Sequence, residues 1–419
     1  MLSIEVVTGK WENIFGFAGR EQMRVGILRR SHWQRVRQWL ETAVVMPLSI
    51  LFVHQGHELY GSDRTLLQSV QGAALRWPEA RITVVLPRDG ALRTALLPFV
   101  AEVRITELAI LRRGDMKKIK LGDIRGLMGR ILRARRMMQS NDLTYINTVV
   151  VMDYIMAASM VRQPKVIHVH EIPTGLAAIV FSVLLVLSHA YLIFNSQATR
   201  RRFTVPFWMR SAVVWNGACE PRESMAAAHR SLNLLTIGRF NAWKGQPVLL
   251  RAVANLPAEL RDHVKVRLVG GVFGGQTHFM DQVTAIIAEL ELSDAVEIFP
   301  FTPDPAPHYN WADIVVVPST KPEPFGLVAI EGMAAGHCVI GANHGGIPEI
   351  VVDGLTGTLV APGSVESLTA AIAGYVRDPA RARREGIAGR ERFAAKFDER
   401  HYKSKIIRII ADLTRQNLV

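Results

Sequence analysis

Glu323 and Glu331 stand eight residues apart and bracket Pro324-Phe325-Gly326. Ahead of them, Ile314-Val315-Val316-Val317-Pro318-Ser319 reads as a buried parallel strand stopped by Pro and Ser. Behind Gly326, small and apolar helix formers run to Ala335, Gly336 ends them, and Cys338-Val339-Ile340 opens another strand. In such a strand–loop–helix–strand unit, ligands gather at the carboxyl end of the strand, beside the helix N-terminus. The unpaired N–H groups and the dipole there favour phosphate. Glu331 falls about 7 Å along the helix axis from Gly326, where a carboxylate can accept hydrogen bonds from two vicinal hydroxyls, such as those of a ribose. Glu323 precedes the helix on the far side of the phosphates and can hold hydroxyls of a second sugar. The set suits a nucleoside-diphosphate-sugar. The competing reading is a solvated loop glutamate and a surface helix charge, because Glu is mostly exposed. Ile330 and the small residues 332–336 argue against that reading for Glu331.

Other chemistry-bearing residues sit at strand ends. Arg239 and Lys244 follow the strand 233–238 and precede a helix over 248–256. Both can reach a diphosphate, Arg as a bidentate fork and Lys as a point charge; as isolated residues they read equally well as solvated loop charges. Gly61 stands before a helix over 65–75 and would let backbone approach a phosphate closely, although a plain turn glycine explains it too. In Ile167-His168-Val169-His170-Glu171, the alternation puts His168 and His170 on one strand face. His170, at the carboxyl end, suits a cleft. Two histidines beside a glutamate raise a metal site, but no third ligand is close by, and no metal is expected.

These residues need elements to position them. Strands over 48–54, 81–85, 103–106, 143–147 and 166–170 alternate with helical stretches. The pattern restarts at 233–238 and continues through 264–269, 296–299, 314–317, 338–340 and 358–360, with charged helices from residue 365. Two doubly wound α/β domains, facing each other across a central cleft, are therefore expected. The first, over 46–215, ends on a strand running into Asn216-Gly217, a turn in which both residues tolerate positive φ. The second covers 216–395, and a C-terminal helix 396–419. Residues 1–45 show no sustained period and read as an extension outside the fold. A length of 419 residues suits two domains.

Composition narrows the partners. Two cysteines, Cys219 and Cys338, argue against a disulfide framework and against a Cys-based metal site; both read as core or near-core thiols in a reducing, cytoplasmic setting. A net charge of +13 calls for an anionic partner, but no aromatic-interleaved basic motif of a nucleic-acid module is present, and no nucleic acid is expected. The segment 111–138 concentrates Arg and Lys on an amphipathic helical pattern. It is either a solvated basic face or a contact for an anionic membrane surface or a phosphate-bearing acceptor. Residues 175–194 carry no formal charge and have the length of a membrane span. Ser182, Ser188 and His189 interrupt them, and a buried helix followed by a strand from Tyr191 is the preferred reading.

With those residues laid out, the chain resembles the GT-B retaining glycosyltransferases of family 4 from about residue 48 onward. The marks are Gly61-Ser62-Asp63-Arg64, Asn216-Gly217, Gly238-Arg239 with Lys244-Gly245, Trp311-Ala312-Asp313 before Pro318-Ser319, and Glu323-Pro324-Phe325-Gly326 with Glu331, an E-x7-E pattern. The resemblance implies that Glu331 binds ribose and Glu323 contacts the donor sugar. It also implies that Arg239 and Lys244, aided by the backbone of Gly61, Gly326 and Leu327, neutralise the diphosphate, and that His170 lies near the transferred sugar. Tyr60 departs from the pattern, since a second glycine is usual there. The implied reaction takes a nucleotide-sugar donor and a glycan or lipid-linked acceptor, without cofactor or metal. The basic segment and residues 175–194 point to a cytoplasmic protein that can associate peripherally with the inner face of the cell membrane, as in cell-surface polysaccharide assembly. An epimerase or a sugar-phosphate synthase on the same fold, or a non-catalytic nucleotide-sugar binder, are the alternatives. A nicotinamide dehydrogenase is disfavoured, since no G-x-G-x-x-G opens either half.

Overall fold

The computed structural model describes residues 47–111, 123–219, 231–272 and 276–415. The expectation for 1–45, and those parts of the basic segment and of the domain junction that fall in 112–122 and 220–230, lie outside the described residues.

Seven strands form the first sheet: β1 Ser49–Val53, β2 Arg81–Leu86, β3 Glu102–Ile105, β4 Leu143–Ile146, β5 Lys165–Val169, β6 Tyr191–Phe194 and β7 Ser211–Val213. They run parallel in the order β3-β2-β1-β4-β5-β6-β7. Their helices are α1 Gly61–Arg76, α2 Ala91–Leu96, α3 Asp123–Gln139, α4 Met152–Ala158, α5 Leu176–Ser188 and α6 Gln197–Arg200.

Six strands form the second sheet: β8 Leu232–Ile237, β9 Val264–Val269, β10 Val296–Phe299, β11 Ile314–Val317, β12 Cys338–Ala342 and β13 Gly357–Val360. Their order is β10-β9-β8-β11-β12-β13, again all parallel. Around them lie α7 Gln246–Ala254, α8 Ala258–Arg261, α9 His278–Glu289, α10 Ala306–Trp311, α11 Leu327–Ala334, α12 Ile347–Ile350, α13 Val365–Arg377, α14 Pro379–Lys396 and α15 Glu399–Thr414.

The two doubly wound halves anticipated from the strand–helix alternation are present. Helices on both faces explain why the central strands are apolar almost throughout, as in Ile314–Val317, where every side chain is buried. Strand order reverses between β1 and β4 and between β8 and β11. Each reversal opens a crevice at the carboxyl ends of the strands, where loops from both sides can hold a ligand.

Four expectations need correction. The helix after β1 begins at Gly61, not 65, because Tyr60 adopts an extended N-cap conformation and Asp63 accepts from its backbone N–H. The helix after Lys244 spans Gln246–Ala254, two residues early, with Pro247 in its first turn, where the missing N–H costs nothing. Neither Asn216 nor Gly217 is left-handed. Gly217 is required by close approach instead, since a Cβ there would lie 2.6 Å from the Cα of Glu399. Cys219 is exposed, its thiol donating to Glu399 at 3.2 Å, whereas Cys338 is buried.

The same crossing explains α15. It returns to the first half and lies on α1, where Tyr402, Ile406 and Ile410 join Leu66 and Val70 in one core. The Tyr402 and Ser69 hydroxyls meet at 2.6 Å. Residues 175–194 resolve into α5 and β6, and among the described residues no helix is long and apolar enough to cross a membrane.

Candidate functional site

The carboxyl ends of both sheets line one cleft of about 380 Å³. From the first half come Tyr60, Gly61, Arg64, His170 and Asn195; from the second come Arg239, Lys244, Glu323, Gly326 and Glu331. Two helices point their N-termini into it. α1 enters at Gly61, and a Cβ there would sit 3.7 Å from the Leu327 side chain that opens α11. Gly326 precedes Leu327 with φ 117°, a left-handed backbone that disfavours any residue with a Cβ. Added bulk there would also meet Ile347 Cδ1 at 2.5 Å. Gly332 seats α11 on β11, since a Cβ would fall 2.7 Å from Val315 Cγ2. That contact fixes the height at which Glu331 meets the cleft.

Each acidic group predicted from sequence is held by a partner that sequence did not show. Glu331 accepts from Arg64 Nη1 at 2.9 Å and from the Tyr309 hydroxyl at 2.7 Å. Burial, reinforced by the Glu331 carboxylate, keeps that phenol protonated well above the usual tyrosine range. Glu323 accepts from Lys244 Nζ at 2.7 Å and from Ser319 Oγ at 2.5 Å. Burial pushes its carboxyl up, but Lys244, Ser319 and nearby His344 outweigh burial and hold it below the ordinary range. Glu323 thus lies directly against Lys244. Arg239 donates to Glu58 Oε2 at 2.6 Å and stacks its guanidinium 3.8 Å from the centre of the Tyr60 ring. Tyr60 in turn meets Phe301 of the second half, ring centres 4.4 Å apart. The aromatic residue found in place of a glycine therefore spans the cleft.

His170 is built into a polar chain. Asp63 accepts from His54 Nε2 at 2.7 Å, and His54 Nδ1 lies 3.2 Å from Asn147 Nδ2. Asn147 Oδ1 accepts from His170 Nε2 at 3.0 Å, and Asn195 Nδ2 stands 3.5 Å from His170 Nδ1. Burial, aided by His168 and His54, lowers the His170 pKa far below the usual histidine value, so the ring is neutral near pH 7. His168 shares its strand face, as alternation required, but points into the core toward Tyr145 at 2.8 Å. No group of three or more metal-ligating side chains occurs among the described residues.

The halves are joined at a second place. Glu349 accepts from the backbone N–H groups of Gln197 and Ala198 at 2.9 and 2.8 Å and from Trp215 Nε1 at 2.9 Å. Ser196 Oγ donates to the Pro324 carbonyl at 2.5 Å. Sequence reading missed Glu58, Tyr309, Asn147 and Glu349, and gave Arg64 no separate role. Arg64 and Glu58 stood in the loop flagged through Gly61, whereas Tyr309 and Glu349 carried no local signal.

Residues 220–392 match the family described as Glycosyl transferases group 1. A D-inositol 3-phosphate glycosyltransferase of Thermomonospora curvata is 36% identical over 194 residues, 45% of this chain and 44% of that protein. The enzyme of the same name from Mycobacterium avium is 38% identical over 148 residues, 35% of this chain and 34% of that protein. The chain thus spans less than half the length of these relatives. Among solved structures, Anabaena Alr3699/HepE in complex with UDP-glucose superposes with a TM-score of 0.73 at 24% identity, covering 87% of this chain and 100% of that one. Sucrose-phosphate synthase of Thermosynechococcus elongatus gives 0.70 at 21% identity, covering 88% and 100%. The fold is GT-B.

Proposed function

We propose that this chain is a retaining glycosyltransferase of family 4, moving a sugar from a nucleoside-diphosphate-sugar to an acceptor hydroxyl in cell-surface polysaccharide or glycolipid assembly at the cytoplasmic face of the membrane. The observation that carries the reading is convergence on one cleft. Arg239, Lys244 and two helix N-termini face the same space as Glu323, Glu331 and His170. That supplies cations and N–H donors for a diphosphate, with carboxylates for hydroxyls on either side.

In the proposed reaction the bond from the anomeric carbon to the diphosphate oxygen breaks and a bond to the acceptor oxygen forms on the same face. The acceptor proton passes to the departing phosphate oxygen. Arg239, Lys244 and the N-termini of α1 and α11 stabilise the negative charge as it develops on the leaving group. Glu331 holds the ribose, Glu323 the donor sugar, and neutral His170 lies beside that sugar. The reaction calls on no cofactor or metal. Alr3699/HepE was solved with UDP-glucose, so UDP-sugars head the donor panel. Relatives are named D-inositol 3-phosphate glycosyltransferases, so D-inositol 3-phosphate joins lipid-linked glycans in the acceptor panel.

The test is nucleotide release across donor sugars with and without acceptor. Release of UDP that depends on acceptor, and that Glu323→Ala abolishes while UDP still binds, is expected. Turnover without acceptor and without nucleotide release identifies an epimerase instead. Undiminished turnover in Glu323→Ala overturns the assignment.

A further inference from the structure

The outer face of α5 is apolar and uncovered. Phe181, Ser182, Leu185 and Ser188 bury one side of the helix, while Leu176, Ile179, Val183 and Leu187 are exposed on the other, Leu176 by 66% and Ile179 by 62%. The loop before β7 lies against the same helix, because Thr204 N donates to Ser182 Oγ at 3.1 Å. Phe203 of that loop joins Phe181 and Leu185 in the core. A few residues on, Phe207 and Trp208 project at 95% and 69% exposure, edge to face with ring centres 5.1 Å apart. Isolated exposed apolar residues are ordinary, but a contiguous set with an aromatic tip marks an interaction surface.

Charge identifies what covers it. From residue 172 to 219 the chain contains no Asp or Glu, and its charged side chains are Arg200, Arg201, Arg202 and Arg210. Arg201 and Arg202 are exposed between α6 and the aromatic tip. A second copy seated on this face by a two-fold axis would bring like charges together. An anionic bilayer pairs with all of it: arginines with headgroups, Trp208 and Phe207 at the interface, and α5 at the acyl boundary. At 13 residues, α5 is about 20 Å long against about 30 Å of hydrocarbon, so it is too short to cross a membrane and could only lie at its surface.

We infer that α5 and the Phe207-Trp208 tip form a docking surface for an anionic lipid bilayer. Leu176 follows the cleft-lining Glu171 by five residues, so the docked helix starts beside the cleft and presents it to acceptors held at the headgroup level. Docking needs no turnover, so it stands or falls separately from the proposed reaction.

The test is co-sedimentation of the full chain with phosphatidylglycerol-containing vesicles and with phosphatidylcholine alone. Binding is expected to the former, weakening at high salt. Phe207→Ser with Trp208→Ser, and separately Arg201→Gln with Arg202→Gln, should each lower partitioning about tenfold or more while UDP binding is kept. Trp208→Phe should retain binding but remove the part of the tryptophan fluorescence that brominated lipids quench. Indifference to vesicles, unchanged binding in either double variant, or unchanged quenching in Trp208→Phe overturns the inference. So does a stable dimer of the wild type that the aromatic double variant dissociates.

Discussion

Glu58→Gln should tighten nucleotide binding, the opposite of what removing a cleft carboxylate ordinarily does. Glu58 occupies Arg239 at 2.6 Å, and a diphosphate reaching that guanidinium has to displace it. The pair is partly open, with side chains 23% and 44% exposed, which places it with solvent-screened ion pairs of about 0.5–1 kcal/mol. Releasing that competition corresponds to a roughly two- to fivefold lower Kd for UDP. Arg239→Ala should act in the other direction by about 1.5–3 kcal/mol, the range for hydrogen bonds to charged groups, or roughly 10- to 150-fold. Isothermal titration with UDP measures both, and the double variant closes the cycle. With Arg239 already removed, Glu58→Gln should give little gain, because its effect runs through the cation it occupies. Weaker UDP binding in Glu58→Gln would show that the pair holds the cleft in its binding form rather than competing with ligand. An equal gain in the Arg239→Ala background would show simple charge repulsion. Either result refutes the reasoning.

Three further outcomes are expected. Lys244→Ala leaves Glu323 half-satisfied beside Ser319 and His344, and chemical denaturation at pH 7 should show a loss of about 1–3 kcal/mol. Because the folded-state pKa of Glu323 is depressed, its stabilisation is present above the unfolded carboxylate pKa and disappears as pH falls through the folded value; the deficit of Lys244→Ala should therefore shrink at pH 4 and below. Gly332→Ala forces a methyl into Val315, so Tm should fall by the equivalent of about 1–3 kcal/mol, and UDP affinity should fall with it as Glu331 is displaced. Burial depresses His168 to about 3, so the unfolded chain binds the extra proton and native stability should drop as pH falls below the unfolded histidine pKa of about 6.5. His170 and His337, also depressed by burial, add to that slope, so His168→Gln should lessen it in urea titrations without abolishing it, and an unchanged slope would exclude a contribution from His168.

The sequence by itself determined the elements and their order. β-branched runs stopped by Pro, Ser or Gly became the central strands, and the small and apolar stretch after Gly326 became α11. Those signals are local, set by backbone preference and side-chain period, which is why Gly326 was legible as a helix entrance before its φ of 117° was known. The Glu323–Glu331 spacing was legible for the same reason: loop and helix fix where each carboxylate points.

Only the tertiary structure decided which charge meets which. Arg64 reaches Glu331 across 267 residues and Arg239 reaches Glu58 across 181. Nothing in either neighbourhood encodes its partner, because such pairs form only when two sheets bring their carboxyl edges together. The same holds for α15, whose apolar face has no partner until the chain returns to α1. It holds for Gly217, whose missing Cβ answers a close approach by Glu399 and not a turn conformation. α5 shows the division most plainly. Its sequence announced an apolar helix, but burial of Phe181 and Leu185 and exposure of Ile179 and Val183 depend on which face the first sheet covers.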